Sequence, residues 1–160
     1  MTPKAFTIGG EGHLSSIITP IAVRQSKDLC CQFKLHFQHA NVRALWDTGA
    51  ANSSMSHGLA RYLGLKPVDI CYVNGLSGLQ ASNVYLLDIL LPSAVEIFNI
   101  RVSEFVDNGY FEIVIGMDII GLGDLAISNK DNNTLVSFRM PPSEKPIDYL
   151  ELILKENNIK

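Results

Sequence analysis

Residues 44–50 read ALWDTGA, which places an acid, a hydroxyl and a glycine directly after the hydrophobic run 42–46. A carboxylate at the end of an apolar strand is poorly solvated, which marks Asp47 as a candidate for a functional site. Thr48 is β-branched, so its hydroxyl is held in a narrow range of directions. Gly49 allows the backbone to turn sharply. Asp, Thr and Gly are also common where an ordinary strand meets a turn, so this segment alone leaves both interpretations open.

A second segment, residues 112–120, reads EIVIGMDII and favours the functional interpretation. It is another apolar run that ends in glycine, and a short helical pattern follows it. Together, DTGA at 47–50 and IVIG at 113–116 resemble the signature of the retropepsin-like aspartic proteases. The order and the separation of the two segments fit that family, and the resemblance covers about residues 14–140.

The resemblance implies a mainly β fold, a retropepsin-like acid-protease barrel with a short helix after the second signature strand. Residues 1–142 would form the protease domain, with a loose N-terminal segment over 1–13. Residues 143–160 would form a tail, in which apolar side chains at helical spacing predict a C-terminal helix. We expect this helix to dock on its own domain, with a partner subunit as the alternative.

The family also implies a role for each signature residue. Asp47 is expected to be the catalytic acid and base, and Thr48 to hydrogen-bond across a dimer axis. The backbone N–H of Gly49 is expected to support the carboxylate. A hairpin with glycines at its tip is expected to close over the substrate as a flap. The implied substrate-binding residues are Leu45, Ala50, Gly75, Leu76, Ser77, Gly78 and Ile115.

Aspartic proteolysis uses two carboxylates that share one proton around a water molecule. This chain contains one Asp-Thr-Gly segment, so we expect the second catalytic Asp to come from another copy in a two-fold symmetric homodimer. The substrate would be an extended segment of a protein or peptide that pairs its backbone with the cleft and the flap. This chemistry needs no metal and no organic cofactor.

The sequence departs from the retroviral pattern at two positions. Retroviral proteases usually carry an acid shortly after the catalytic loop and an arginine after the second-signature glycine, and the two side chains pair. The corresponding positions here are Asn52 and Met117. In this respect the chain is more similar to bacterial retropepsin-like proteins and to the protease domain of DNA-damage-inducible-type ubiquitin shuttle proteins.

Composition and charge narrow the class of protein further. A length of 160 residues with 47% hydrophobic residues suits one globular domain and excludes a disordered chain. The net charge of −3, without a basic block, argues against a nucleic-acid partner. The longest apolar runs are too short to span a membrane, and the N-terminus lacks the apolar core of a signal peptide. We therefore expect a cytoplasmic protein, and the three cysteines agree with a reducing compartment. Because these cysteines lack metal-ligand spacing, we expect no metal site.

Several secondary-structure elements follow from local patterns. Residues 29–37 alternate between apolar and polar and predict a half-buried strand, and residues 39–41 predict the turn after it. Ser56 is a predicted N-cap for a helix over 57–63. Asn74-Gly75 predicts a hairpin. The glycine-bearing residues 1–12 predict a loose start.

Two other functions remain open from the sequence. The chain could be a non-catalytic retropepsin-like module that binds peptides or only mediates dimerisation, although such a module has no need for an intact Asp-Thr-Gly loop. A serine hydrolase would pair His57 with Ser53, Ser54 or Ser56, which requires a convergence in space that proximity in sequence cannot establish.

Overall fold

The computed structural model describes residues 2–33, 38–75 and 78–158. Within these residues the chain is mainly β, with ten strands and four α-helices. The strands are β1 (Lys4–Glu11), β2 (Ile18–Gln25), β3 (His39–Trp46), β4 (Ser54–Ser56), β5 (Asp69–Gly75), β6 (Gly78–Leu91), β7 (Val95–Phe105), β8 (Ile113–Ile115), β9 (Asp124–Lys130) and β10 (Asn133–Met140). The helices are α1 (Lys27–Phe33), α2 (His57–Tyr62), α3 (Met117–Ile120) and α4 (Tyr149–Asn158).

The larger sheet closes into a barrel. Its strand order is β2-β3-β8-β4-β7-β6-β5, and β2 also pairs with β6, which closes a barrel of six strands. The hairpin strand β5 extends β6 outside this closure. A closed barrel has no unpaired edge, and its interior is filled by alternate side chains of each strand.

A smaller sheet, in the order β1-β10-β9, packs against the barrel through an aromatic cluster. The rings of Phe6 and Phe138 lie 5.9 and 5.0 Å from that of Trp46, centroid to centroid. The indole N–H of Trp46 donates a hydrogen bond of 2.9 Å to the hydroxyl of Thr19, so the buried polar group is satisfied. Trp46 therefore joins the two sheets at the residue just before Asp47.

The N-terminal segment is a strand, which corrects the expectation of a loose start. Each residue from Lys4 to Glu11 pairs with a residue of β10, and Phe6 is buried. The glycines Gly9 and Gly10 lie inside this strand, opposite Leu135 and Thr134. Glycine has a weak intrinsic preference for strands, so the pairing with β10 decides the conformation.

The strand predicted over 29–37 is also wrong where the structure describes it, because Lys27–Phe33 form helix α1. The backbone N–H of Lys27 donates to Oδ2 of Asp88 on β6, at 3.0 Å. Cys30 is buried and Cys31 is exposed. Residues 34–37 lie outside the described residues. The predicted turn at 39–41 is the beginning of β3 instead.

Other local predictions are confirmed. Helix α2 begins after Ser56, whose side chain accepts a hydrogen bond from the N–H of Leu59, as an N-cap does. The short helix after the second signature strand is α3. The C-terminal helix is present as α4, but all of residues 149–157 are exposed, so the expectation that it docks on its own domain is wrong for the described residues.

Candidate active site

Asp47 lies where two parallel strands end side by side. In β3 and β8, Trp46 is in register with Ile115. Immediately beyond this pair, the backbone N–H of Asp47 donates to the carbonyl of Ile115 at 2.9 Å. The second signature strand therefore fixes the position at which the first signature loop begins.

The loop turns back on the Asp47 side chain. The N–H of Gly49 donates to Oδ1 of Asp47 at 2.8 Å, and the N–H of Ala50 donates to the carbonyl oxygen of Asp47 at 3.2 Å. A Cβ atom on Gly49 would lie 3.2 Å from Oδ1, which is a tight contact. Asp47 is half-buried, whereas Thr48 and Gly49 are exposed. The carboxylate is thus oriented by the backbone and still open to a ligand.

The far side of the loop is held by the beginning of α3. The N–H groups of Met117 and Asp118 donate to the carbonyls of Ala50 and Ala51, at 2.8 and 3.2 Å. Gly116 makes this close approach sterically feasible, since a Cβ there would lie 2.6 Å from the carbonyl carbon of Asn52.

A buried hydroxyl completes this support. The hydroxyl of Ser53 donates to Oδ1 of Asp118 at 2.7 Å, and the N–H of Ser53 donates to Oδ2 at 3.0 Å. The same hydroxyl accepts from the N–H of Gly116 at 3.0 Å. The sequence did not predict this supporting role for Ser53 and Asp118. The available signal was an acid in the first turn of a short helix that directly follows the second signature glycine.

A cleft of about 650 Å³ lies beside the loop. One wall is the loop, through Ala50 and Asn52. Another wall is the hairpin strand β5, and strands β4, β6 and β7 supply the rest of the lining. The lining residues are Ala50, Ala51, Asn52, Ser54, Cys71, Tyr72, Val73, Val84, Arg101 and Ser103.

A solved structure with the same architecture is the retropepsin-like aspartic protease from Rickettsia conorii. It superposes with a TM-score of 0.53 over 88% of this chain and 97% of that chain, at 11% identity. This chain has the retropepsin-like fold. The simian foamy virus (mac) protease has a TM-score of 0.39 at 14% identity, over 64% of this chain and 92% of that chain. The retroviral protease-like domain of Ddi1 from Leishmania major has a TM-score of 0.42 at 17% identity, over 79% of this chain and 95% of that chain. No protein-family model and no curated protein sequence matches the chain.

Within this retropepsin-like fold, only some of the substrate-binding residues that the resemblance implies lie beside the cleft. Ala50 lines the cleft. Ile115 is completely buried in the core, and Leu45 is half-buried outside the cleft lining. Gly75 and Gly78 pair at the end of the hairpin. Leu76 and Ser77, the other two implied flap residues, lie outside the described residues.

The departure from the retroviral pattern has a structural counterpart in this fold. Asn52 and Met117, which replace the acid and the arginine, are both exposed. The next residues along the chain, Ser53 and Asp118, make the side-chain contact between loop and helix instead. A neutral donor and a single carboxylate thus connect these two elements.

The side chains proposed for a serine hydrolase do not form a pair. Nδ1 of His57 lies 3.3 Å from Oε2 of Glu104, while the buried Ser56 hydroxyl caps α2. Glu104 also accepts from the hydroxyl of Tyr85 at 2.6 Å. Burial, and next the hydrogen bond to Glu104, raise the pKa of Tyr85 to about 12. This polar cluster connects α2 to β6 and β7.

Among the described residues, no three His, Cys, Asp or Glu side chains converge in a way that would hold a metal ion. In the same part of the chain, no helix is both long and apolar enough to cross a membrane.

Proposed function

We propose that this protein is an aspartic endopeptidase, active as a homodimer, that hydrolyses peptide bonds in extended polypeptide segments. The observation that carries the proposal is the oriented, open carboxylate of Asp47 at the end of β3 in a retropepsin-like fold. The Gly49 N–H holds one carboxylate oxygen, and the backbone bonds to Ile115 and Met117 hold the loop.

The second carboxylate comes from a second copy of the chain, because the sequence contains a single Asp-Thr-Gly segment. Exposure of Thr48 and Gly49 leaves the tip of each loop free for this contact. Two carboxylates this close cannot both ionise at low cost, so the pair shares a proton. The ionised Asp47 takes a proton from water, which attacks the scissile carbonyl, while the protonated Asp47 donates to the carbonyl oxygen.

The cleft beside the loop supports an extended substrate. Its wall is a strand of the hairpin, and a peptide bound as an added strand would pair its backbone there. The proposal includes a cytoplasmic location, which the three free cysteines support, since thiols stay reduced in that compartment. It also includes the division of the chain into a protease domain over 1–142 and a tail over 143–160.

The decisive experiment compares the wild-type protein with Asp47→Asn on an unfolded protein substrate, from mildly acid to neutral pH. We expect cleavage by the wild type, inhibition by an aspartic-protease inhibitor, and no cleavage by the variant. Because Asn preserves the size of the side chain and its Oδ1 acceptor, the variant should keep its fold and its oligomeric state. Sedimentation and circular dichroism check both properties.

Two results would count against the proposal. Cleavage retained by Asp47→Asn would remove Asp47 from the mechanism. Dimerisation and peptide binding without cleavage by either protein would favour the non-catalytic module instead.

A further inference from the structure

The charge inside the cleft comes from one residue. Arg101 on β7 is the single charged side chain among the described residues that line it. The other lining residues are uncharged, and several are small, such as Ser54, Cys71 and Ser103. This guanidinium places N–H donors for an anionic group in the cleft that the Asp47 loop also lines.

The guanidinium of Arg101 is held in one orientation, but most of its N–H donors have no acceptor among the described residues. Nη2 of Arg101 lies 2.5 Å from Oδ2 of Asp69 on β5, and the exposed fractions of the two side chains are 58% and 55%. A guanidinium has five N–H donors, and the described part of the chain accepts a hydrogen bond from one of them. Asp69 therefore directs the group and leaves most of its donors to a ligand.

Asp69 is itself held in place. Its Oδ1 accepts a hydrogen bond of 2.8 Å from the N–H of Ile70. That bond, and next the bond from Arg101, hold the pKa of Asp69 below its usual value. Asp69 is thus ionised at neutral pH, and the ion pair connects β5 to β7, two strands that line the cleft.

We propose that Arg101 makes this cleft selective for substrates that carry an acidic side chain, Asp or Glu, at one position near the scissile bond. The inference rests on the proposed function, because it assumes that the cleft holds the substrate. A carboxylate accepts two parallel N–H bonds from a guanidinium fork, a geometry that an amide or an alkyl side chain cannot reproduce. The cleft, with a volume of about 650 Å³, leaves space for such a side chain.

The test uses a random-sequence peptide library in two assays. Wild-type protein is assayed for cleavage, and the Asp47→Asn variant is assayed for binding, so that binding is measured without turnover. We expect Glu or Asp to be enriched at one position in both assays. A selected peptide and its Glu→Gln counterpart should then differ in affinity by roughly five- to tenfold, and less at high salt.

Variants in the Asp47→Asn background assign this preference to Arg101. Arg101→Met should bring the Glu-to-Gln affinity ratio close to one, and Arg101→Lys should retain part of it, because Lys keeps the charge without the fork. The matched control is Arg43→Met, which removes an exposed arginine from another ion pair, with the half-buried Glu112, outside the cleft lining. Arg43→Met should leave the ratio unchanged.

The outcomes separate this inference from the proposed function. Peptide selection without an acidic preference, a preference that survives Arg101→Met, or no peptide binding would overturn the inference. If binding is acid-selective and depends on Arg101 but the wild type cleaves nothing, the inference stands and the proposed protease activity is rejected.

Discussion

The hydroxyl of Ser53 lies 2.7 Å from Oδ1 of Asp118, and this contact joins the loop that carries Asp47 to the beginning of α3. Ser53 is completely buried, and its hydroxyl also accepts from the N–H of Gly116. Buried polar groups that are fully paired restrict a structure to one arrangement, whereas leaving one unpaired is costly. We therefore regard this pair as the support of the candidate catalytic loop.

Removing this support should weaken both the fold and the activity. In Ser53→Ala the buried N–H of Gly116 loses its partner, and in Asp118→Asn one of the two carboxylate acceptors becomes a donor. We expect each change to lower the free energy of unfolding by about 1–3 kcal/mol, measured by denaturant titration. Cleavage should fall more than the folded fraction does. The control is Glu144→Gln, which neutralises a charge at an exposed residue. Equal stability of all three variants would contradict the role of Ser53 and Asp118 as the support of the loop.

A methyl group at Gly116 should displace the loop. Its Cβ would lie 2.6 Å from the carbonyl carbon of Asn52 and 2.9 Å from the carbonyl oxygen of Ala50, both backbone atoms. We expect Gly116→Ala to lower the free energy of unfolding by about 1–3 kcal/mol and to reduce cleavage. Gly9→Ala is the matched control, because its Cβ would make an ordinary contact of 3.7 Å with a Leu135 methyl group. Thermal unfolding of both variants measures the difference, and a Gly116→Ala protein as stable as Gly9→Ala would refute it.

The buried hydroxyl of Tyr85 should give the protein a stability that is lost at high pH. Burial and the bond to Glu104 raise the pKa of Tyr85 from 10.0 to about 12. The unfolded chain therefore releases this proton at a lower pH than the folded chain does. The contribution is complete below pH 10 and disappears as the pH rises from 10 to about 12.

Titration of tyrosinate absorbance, with unfolding measured at each pH, checks this prediction. Tyr85→Phe should remove the tyrosine that ionises near pH 12 from the absorbance titration, and it should remove the loss of unfolding free energy between pH 10 and about 12. Tyr110→Phe is the control, because Tyr110 is 73% exposed. The prediction fails if Tyr85→Phe and Tyr110→Phe change the titration curve in the same way.

Helix α4 should be dispensable for the stability of the barrel. Its residues 149–157 are all exposed, whereas Ser143 donates from its N–H and its hydroxyl to Oδ2 of Asp124, each at 2.7 Å. Deleting residues 147–160 should therefore change the free energy of unfolding by less than about 0.5 kcal/mol. Deleting residues 143–160 should lower the free energy of unfolding by about 1 kcal/mol more, because Asp124 loses both hydrogen bonds from Ser143. Chemical denaturation distinguishes the two truncations, and a large loss in the shorter deletion would mean that α4 packs on the barrel in solution.

Predictions from sequence succeeded where neighbouring residues decide the conformation. The N-cap at Ser56 and the short helix after Gly116 are of this kind, since capping depends on residues within one turn. They failed at β1 and α1. The conformation of β1 depends on β10, more than a hundred residues away, and the first turn of α1 is bonded to Asp88 on β6.

The sequence singles out Asp47 as an acid that follows an apolar strand, and through the resemblance of its two signature segments it predicts the retropepsin-like fold. It did not determine what surrounds that acid. The folded chain shows that Ser53 reaches Asp118, that Ile115 belongs to the core, and that Arg101 lines the cleft. These relationships join elements far apart in the chain, and their distances are set by barrel closure rather than by local backbone preference.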